Sequence, residues 1–139
     1  MSIFNGLQIN ASGLSLERMK LDVASTNIAN VNTTRTAEGG PYKKKTAEFS
    51  ENLRQAQGTN KITSAGVKVT NIAEDNTTKL TYDPTNPDAD ANGYVEMPNV
   101  NMADEMVDMI QAMRTYEANV SSTEANKNIL KKALEISKD

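Results

Sequence analysis

The chain has 139 residues, a formal net charge of −3, and 37% hydrophobic residues with two Phe, four Tyr and no Trp. That is thin apolar stock for one closed core or a large enzyme pocket. It has no Cys and no His, which excludes disulfides, thiolate metal sites and the usual general base near neutral pH, and leaves any catalysis to carboxylates or lysines.

Charge is unevenly placed. Residues 1–50 carry six basic and four acidic side chains, whereas residues 71–111 carry one lysine against nine carboxylates. An acidic middle argues against wrapping nucleic acid, since only Lys43, Lys44 and Lys45 begin a basic face. Met1 to Asn10 is broken by Ser2, Asn5, Gly6 and Gln8, so no cleaved secretory signal is expected. No run approaches the roughly 18 apolar residues of a membrane span. A soluble chain made in the cytoplasm is expected, with export by a route that cleaves no signal left open.

Leu7, Leu14, Leu21 and Ile28 recur every seven residues, with Ile3, Ala11 and Ala24 at helical offsets. The spacing predicts an amphipathic N-terminal helix, weakened by Asn10, Glu17, Ser25 and Gly13, the last costing about 1 kcal/mol. It should fade over Asn30 to Thr34 and be ended by Gly39, Gly40 and Pro41. Asn27, Asn30 and Asn32, with Thr26, Thr33 and Thr34, oppose helix propensity and offer side-chain hydrogen bonds at a helix end instead.

The stretch 35–98 reads as β-rich. Strands are predicted at Tyr42 to Phe49, Gly66 to Ile72 and Lys79 to Tyr82; Val67 and Val69 alternate with Lys68 and Thr70, as a strand with one dry face requires. Lys43 to Lys45 suit a solvated edge that discourages pairing. Residues 51–63 are polar, and residues 83–98, with three Pro and three Asp, predict a turn-rich connection. Within it Asp88, Asp90, Asn92 and Gly93 match the first half of a calcium loop, D-x-D-x-N-G. The match then fails, because the twelfth position is Asn99 and Pro84 and Pro87 stand where a helix should precede it. Asx turns account for these residues better, and a calcium-regulated coiled-coil adaptor is the alternative from a different functional class.

From Met102 onward no Pro or Gly interrupts the chain. Met102, Met106, Met109, Met113, Tyr116, Val120, Thr123, Lys127, Leu130 and Leu134, alternately four and three residues apart, predict one long helix with a seam for a partner helix. Asn101 followed by Asp104 is a start signal, and Asp104, Glu105 and Asp108 favour the positive end of the helix. Continued to Ser137 it would be about 54 Å long, against a diameter of roughly 37 Å for a compact domain of this size. The expected fold is therefore mainly α with a small β-rich insertion. The molecule should be elongated: residues 1–34 and 99–139 form a discontinuous coiled-coil domain, and residues 35–98 project as an extended hairpin-like excursion.

The string SLERMKLDVASTNIANVNTTRT at residues 15–36, followed by GGPYKKK, resembles the N-terminal signature of bacterial flagellar rod and hook proteins, a helix running into S-x-N-I-A-N-x-N-T. Ser25, Asn27, Ile28, Ala29, Asn30, Asn32 and Thr33 fit it. YDPTNPDADANGYVEMPNVN at residues 82–101 and EMVDMIQAMRTYEANV at residues 105–120 are similar to a proximal rod member of that family.

The resemblance implies a structural subunit and no enzyme, cofactor or metal. It implies copies stacked helically with themselves and with other rod proteins around an export channel, as part of a drive shaft beside the membrane ring. It also implies export by the flagellar type III apparatus without signal cleavage, to the basal body outside the cytoplasmic membrane. Leu7, Leu14, Leu21, Ile28, Met102, Met106, Met109, Met113, Tyr116, Val120, Leu130 and Leu134 are then the expected helix and subunit contacts, and Asn27, Asn30 and Asn32 would meet neighbouring subunits. Another axial rod protein of the same family is the nearer alternative.

Overall fold

The computed structural model describes residues 3–55 and 62–136. Helix α1 (Ile3–Ala29) is followed by strands β1 (Lys44–Gln55), β2 (Ile62–Asp75), β3 (Thr78–Tyr82) and β4 (Tyr94–Pro98), and by helix α2 (Met102–Ile136). At 35 residues, α2 is about 52 Å long. Its start is capped as the sequence indicates: the Ala103 amide donates to Asn101 Oδ1 at 3.1 Å, and the Glu105 amide to the Asn101 carbonyl at 3.1 Å.

The molecule is elongated. Its accessible surface is 10005 Å², where a compact protein of this mass would expose about 7,100 Å². The buried apolar side chains, Leu16, Ala24, Tyr42, Ala65, Val95 and Ala112, are dispersed along the sequence and mostly small. Such a chain gains little from hydrophobic burial by itself.

The two helices lie against each other in antiparallel order. β1 and β2 form an antiparallel ribbon running from the Lys44↔Asp75 pair to the Gln55↔Ile62 pair, and β3 and β4 form a second one from Thr78↔Pro98 to Tyr82↔Tyr94. Tyr82 and Tyr94 meet edge to face, with centroids 5.3 Å apart.

The ribbon differs from the expected excursion in two ways. It is longer, continuing through Gln55 and resuming at Ile62, so the described residues of the polar stretch 51–63 are strand; residues 56–61 lie outside the described residues. It also lies along α1 instead of standing away from it. Gly66, at φ +97°, is set so close to α1 that a Cβ there would meet Ser12 Oγ and the Ile9 backbone. Ser12 Oγ donates to the Ile9 carbonyl at 2.7 Å and accepts from the Val67 amide at 3.1 Å. The register shifts between Glu51 and Leu53, opposite this point, so the ribbon has a bulge where it touches the helix. Lys20 completes the contact, with Nζ 5.0 Å from the Phe49 ring centroid.

The expected connection at 83–98 contains a strand that spacing does not reveal. β4 is only five residues long and ends in Pro98, so neither periodicity nor composition separates it from the turns before it.

Candidate functional site: a buried polar latch and an open helix face

Asn27, near the C-terminal end of α1, is 1% exposed and uses both ends of its amide. Nδ2 donates to Glu105 Oε2 at 3.0 Å and to the Lys45 carbonyl at 2.8 Å, while Oδ1 accepts from the Tyr42 hydroxyl and the Lys45 amide, each at 2.9 Å. One side chain thus ties α1, the loop before β1, β1 itself and the first turn of α2. Glu105, 4% exposed, also takes the Lys44 ammonium at 2.8 Å. No described buried side-chain polar atom lacks a partner, so the cluster meets the condition under which buried polar groups are tolerated.

The electrostatics follow from this packing. Burial, then the charges of Glu105 and Glu74, pushes the Tyr42 hydroxyl pKa up. The hydrogen bond to Glu105 holds the Lys44 ammonium pKa above its ordinary value against the opposing effect of burial.

Beyond the latch the chain reverses through the remaining motif residues. Asn30 Nδ2 donates to the Thr26 carbonyl at 2.9 Å, Thr33 Oγ1 to Asn30 Oδ1 at 3.1 Å, and the Tyr42 amide to the Thr33 carbonyl at 3.0 Å. Asn27 therefore faces the inside of its own chain. Ile28, Asn30 and Thr33 are half-buried, and Ser25, Ala29 and Asn32 are exposed.

Asn27 and Glu105 also close one end of a regular helix register. Asn10 Nδ2 donates to Ser122 Oγ at 3.0 Å, a Cβ on Gly13 would lie 2.9 Å from Asn119 Nδ2, and one on Gly6 would lie 3.5 Å from Asn126 Nδ2. Every forward step along α1, from Gly6 to Asn10 to Gly13 to Asn27, is matched by an equal backward step along α2, from Asn126 to Ser122 to Asn119 to Glu105. Ala112, seven residues from both Glu105 and Asn119, is buried. The row of α1 facing α2 thus runs one residue before Leu7, Leu14 and Ile28, which are themselves half-buried, as is Leu21.

The methionine stripe stands differently. Met102, Met106, Met113 and Leu134 are exposed, as are Val107 and Ile110; Tyr116 is at the margin; Met109, Val120 and Leu130 are half-buried. The helix presents its small and polar row to α1 and much of its apolar face to solvent. That inverts the usual amphipathic arrangement of a monomer.

In the 83–93 loop the carboxylates are engaged locally. Asp83 Oδ1 accepts from Thr85, and Asp90 Oδ1 from the Asn92 and Tyr94 amides. Asp88 takes the Thr34 hydroxyl at 2.8 Å and Arg35 at 3.8 Å, which docks the loop to the segment after α1. Gly93 has φ +83°, and a Cβ there would lie 2.9 Å from the Tyr82 ring. An open groove of about 270 Å³ between α1, α2 and β1 is lined by Glu17, Lys20, Lys44 and Glu105, among others. These pair with each other, Lys20 with Glu17 at 3.2 Å and Lys44 with Glu105.

The arrangement is that of a scaffold with a locked internal joint and an apolar outer face, and comparison with known proteins agrees. Residues 7–35 match the family described as flagella basal body rod protein, and residues 91–136 match the flagellar basal body rod FlgEFG protein C-terminal family. The flagellar basal-body rod protein FlgC of Bacillus subtilis is 43% identical over 150 aligned positions, covering 99% of this chain and 100% of that protein. The chain belongs to the FlgC family of flagellar basal-body rod proteins. The FlgC of Borreliella burgdorferi is 39% identical with 98% of each chain covered, and that of Salmonella typhimurium 38% identical over 96% of this chain and 97% of its own.

The two family matches fall on the structural parts that meet in the latch. The first contains α1 from Leu7 and the motif that supplies Asn27; the second contains β4 and α2, and supplies Glu105. Sequence reasoning singled out Asn27 for its context but placed it toward neighbouring subunits, and it gave Glu105 only a helix-end role. The run Lys43 to Lys45 likewise suggests three solvated lysines, whereas Lys44 is held by Glu105 at 2.8 Å. What could have found the pair is the low helix propensity of Asn27 on a helix otherwise running to Ala29: a residue retained against propensity needs a partner.

Proposed function

We propose that this chain is a structural subunit of the flagellar basal-body rod, in the proximal segment, assembling with copies of itself and with other rod proteins into a torque-transmitting shaft around the export channel. The observation that carries the reading is the inverted helix α2, whose polar row is used up inside the chain while Met102, Met106, Val107, Ile110 and Met113 face outward. An apolar face of that kind marks a surface that a neighbour covers. Full-length similarity to FlgC proteins supports the rod as the place where that happens.

On this reading residues 1–34 and 99–139 act as one inner unit whose helices pair as a coiled coil, and residues 35–98 form the outer β-rich unit. The joint in which Asn27 and Glu105 of the inner unit hold Tyr42, Lys44 and Lys45 of the outer one ties the two, so that torque on one is borne by the other. Stiffness comes from close packing along the helix pair, since packed interfaces compress little. The subunit works as a non-enzymatic part, exported by the flagellar type III apparatus without signal cleavage and lying near the membrane ring of the basal body. No described helix is long and apolar enough to cross a membrane.

The test is incorporation. Met113→Asp, on the exposed face, should leave the chain synthesised and folded but absent from isolated basal bodies, with loss of swimming. Normal rods containing this variant would remove the interface from the reading, and absence of the unaltered chain from basal bodies would remove the rod itself.

A further inference from the structure

The rows that pair the two helices are each followed, one position later, by an apolar row. On α1, Gly6, Gly13 and Asn27 precede Leu7, Leu14 and Ile28, and Leu21 continues the series. On α2, Glu105, Ala112 and Asn119 precede Met106, Met113 and Val120, with Met102, Met109 and Tyr116 three or four residues away. One residue turns a helix by about 100°. Both helices are right-handed and they run antiparallel, so the same advance turns them in opposite senses when viewed along the pair, and both apolar rows emerge on the same side of it. The ribbon takes the other side, meeting α1 through Ser12, one residue before Gly13.

The two rows also stand level. In the register that sets Asn27 against Glu105 and Gly13 against Asn119, Leu14 falls between Tyr116 and Val120, Leu21 between Met109 and Met113, and Ile28 between Met102 and Met106. Three apolar layers thus form one two-helix face, about 27 Å long from Met102 to Val120, in which Met102, Met106, Met113 and Tyr116 are exposed and the rest half-buried. Its borders carry opposite charges. Arg18, four residues after Leu14, edges the face on α1, and Glu117, four residues after Met113, edges it on α2; both are exposed, and neither makes an ion pair among the described residues. They stand three residues apart along the pair, about 4.5 Å.

We propose that in the free protein a second copy of this chain covers this face, about a two-fold axis parallel to the helices, so that α1 of each copy lies antiparallel on α2 of the other. Such an axis keeps every level. The same three layers then meet across the contact, and Arg18 of each copy comes beside Glu117 of the other, so the face is complementary to itself in both apolar spacing and charge. The contact is isologous, closes at two and cannot lengthen. Across two helices about 9 Å apart the face offers on the order of 500 Å² per copy, against about 800 Å² in a standard interface, so the pair is reversible. It goes beyond the rod reading and does not rest on it. It engages the same Met113 face that the rod reading gives to neighbouring subunits, so a paired chain must open before it joins a shaft.

Light scattering of the purified full chain should give a mass that rises from one chain to two between about 1 and 500 µM, and no further. The absence of native cysteine makes disulfide trapping clean. Chains carrying Leu21→Cys and chains carrying Met113→Cys, mixed and treated with a mild oxidant, should cross-link to each other, while each variant alone stays monomeric. Using Asp108→Cys in place of Met113→Cys, with the thiol in the groove beside β1, should abolish the cross-link. A chain that stays single at every concentration, a mass that climbs past two, or cross-links from one variant alone would overturn the pair.

Charge reversal gives a second readout that spares the apolar layers. Arg18→Glu and Glu117→Arg should each raise the dimer dissociation constant about tenfold with unchanged circular dichroism, and combining them in one chain should restore it. No rescue would overturn the two-fold arrangement. Incorporation into basal bodies is read separately, so failure of the pair leaves the rod reading standing and failure of incorporation leaves the pair.

Discussion

Lys44 Nζ stands 2.8 Å from Glu105 Oε1, so the middle one of three consecutive lysines joins β1 to the first turn of α2. Lys43 is exposed, and Lys45 reaches only Glu74, at 3.7 Å on the paired strand. Lys44 holds its proton more tightly when folded, and so does Tyr42 beside it. The folded chain then binds more protons than the unfolded one between the ordinary and the raised values. Stability from these groups is fully present below their ordinary values of 10.5 and 10.0 and falls as pH rises through the raised ones. Urea midpoints should be flat from about pH 8 to 9.5 and decline above about pH 10, less steeply in Lys44→Gln. An unchanged decline in that variant would detach Lys44 from the effect.

Asn27 has four partners, and removing it strands several at once. Asn27→Ala should destabilise the chain by about 2–4 kcal/mol, because Glu105 and the Lys45 backbone lose buried hydrogen bonds. Tyr42→Phe removes only one donor to Oδ1, which still accepts from the Lys45 amide, and should cost about 1 kcal/mol. Denaturant unfolding of both variants checks the ranking, and equal losses would deny Asn27 its central place.

Two glycines should respond oppositely to the same added methyl. A Cβ on Gly6 makes ordinary contact with Asn126 at 3.5 Å, so Gly6→Ala should stabilise α1 by about 0.5–1 kcal/mol through helix propensity. Gly66→Ala adds a side chain at φ +97° against Ser12 and the Ile9 backbone, and should cost about 2 kcal/mol or more. Thermal melts of the two variants should shift in opposite directions.

Adjacent residues on α2 should separate folding from assembly. Ala112 is buried and Met113 is exposed. Ala112→Asp puts a charge into the helix contact and should lower the unfolding free energy by about 3 kcal/mol, whereas Met113→Asp should change it by less than about 0.5 kcal/mol. Circular dichroism during denaturation distinguishes the two.

Both helices were legible because their signals are local and long. An uninterrupted run from Met102 with Asn101 before it fixes α2, and the seven-residue recurrence of Leu7, Leu14, Leu21 and Ile28 fixes most of α1. What sequence could not supply is which row of each helix faces the other. The apolar stripe is the natural choice when burial drives pairing. Here Gly6 and Gly13 bring the backbones close and the asparagines opposite them fill the gap, a preference that apolar periodicity cannot register. The same limit hid the latch: its members are separated by 15 to 78 positions in the chain, and no spacing rule joins Asn27 to Glu105. Of β1 and β2 only the parts within Tyr42 to Phe49 and Gly66 to Ile72 are legible, because Glu51, Leu53 and Ser64 pair through backbone bonds that composition does not encode.

The hydrogen bond from Asn10 to Ser122 spans 112 positions, nearly the whole chain, and this sets an order of events. Helix α1 precedes the ribbon and α2 follows it, so the ribbon can already lie on α1 while the row of α1 that faces α2 stays uncovered until almost every residue is available. A truncated or half-emerged chain can form the ribbon but cannot close the helix pair. Closure over so long a loop is slow compared with forming a local hairpin. Completion of the fold therefore requires α2, and a fragment ending before Met102 would expose the surface of α1 that α2 otherwise covers, leaving it recognisably unfinished.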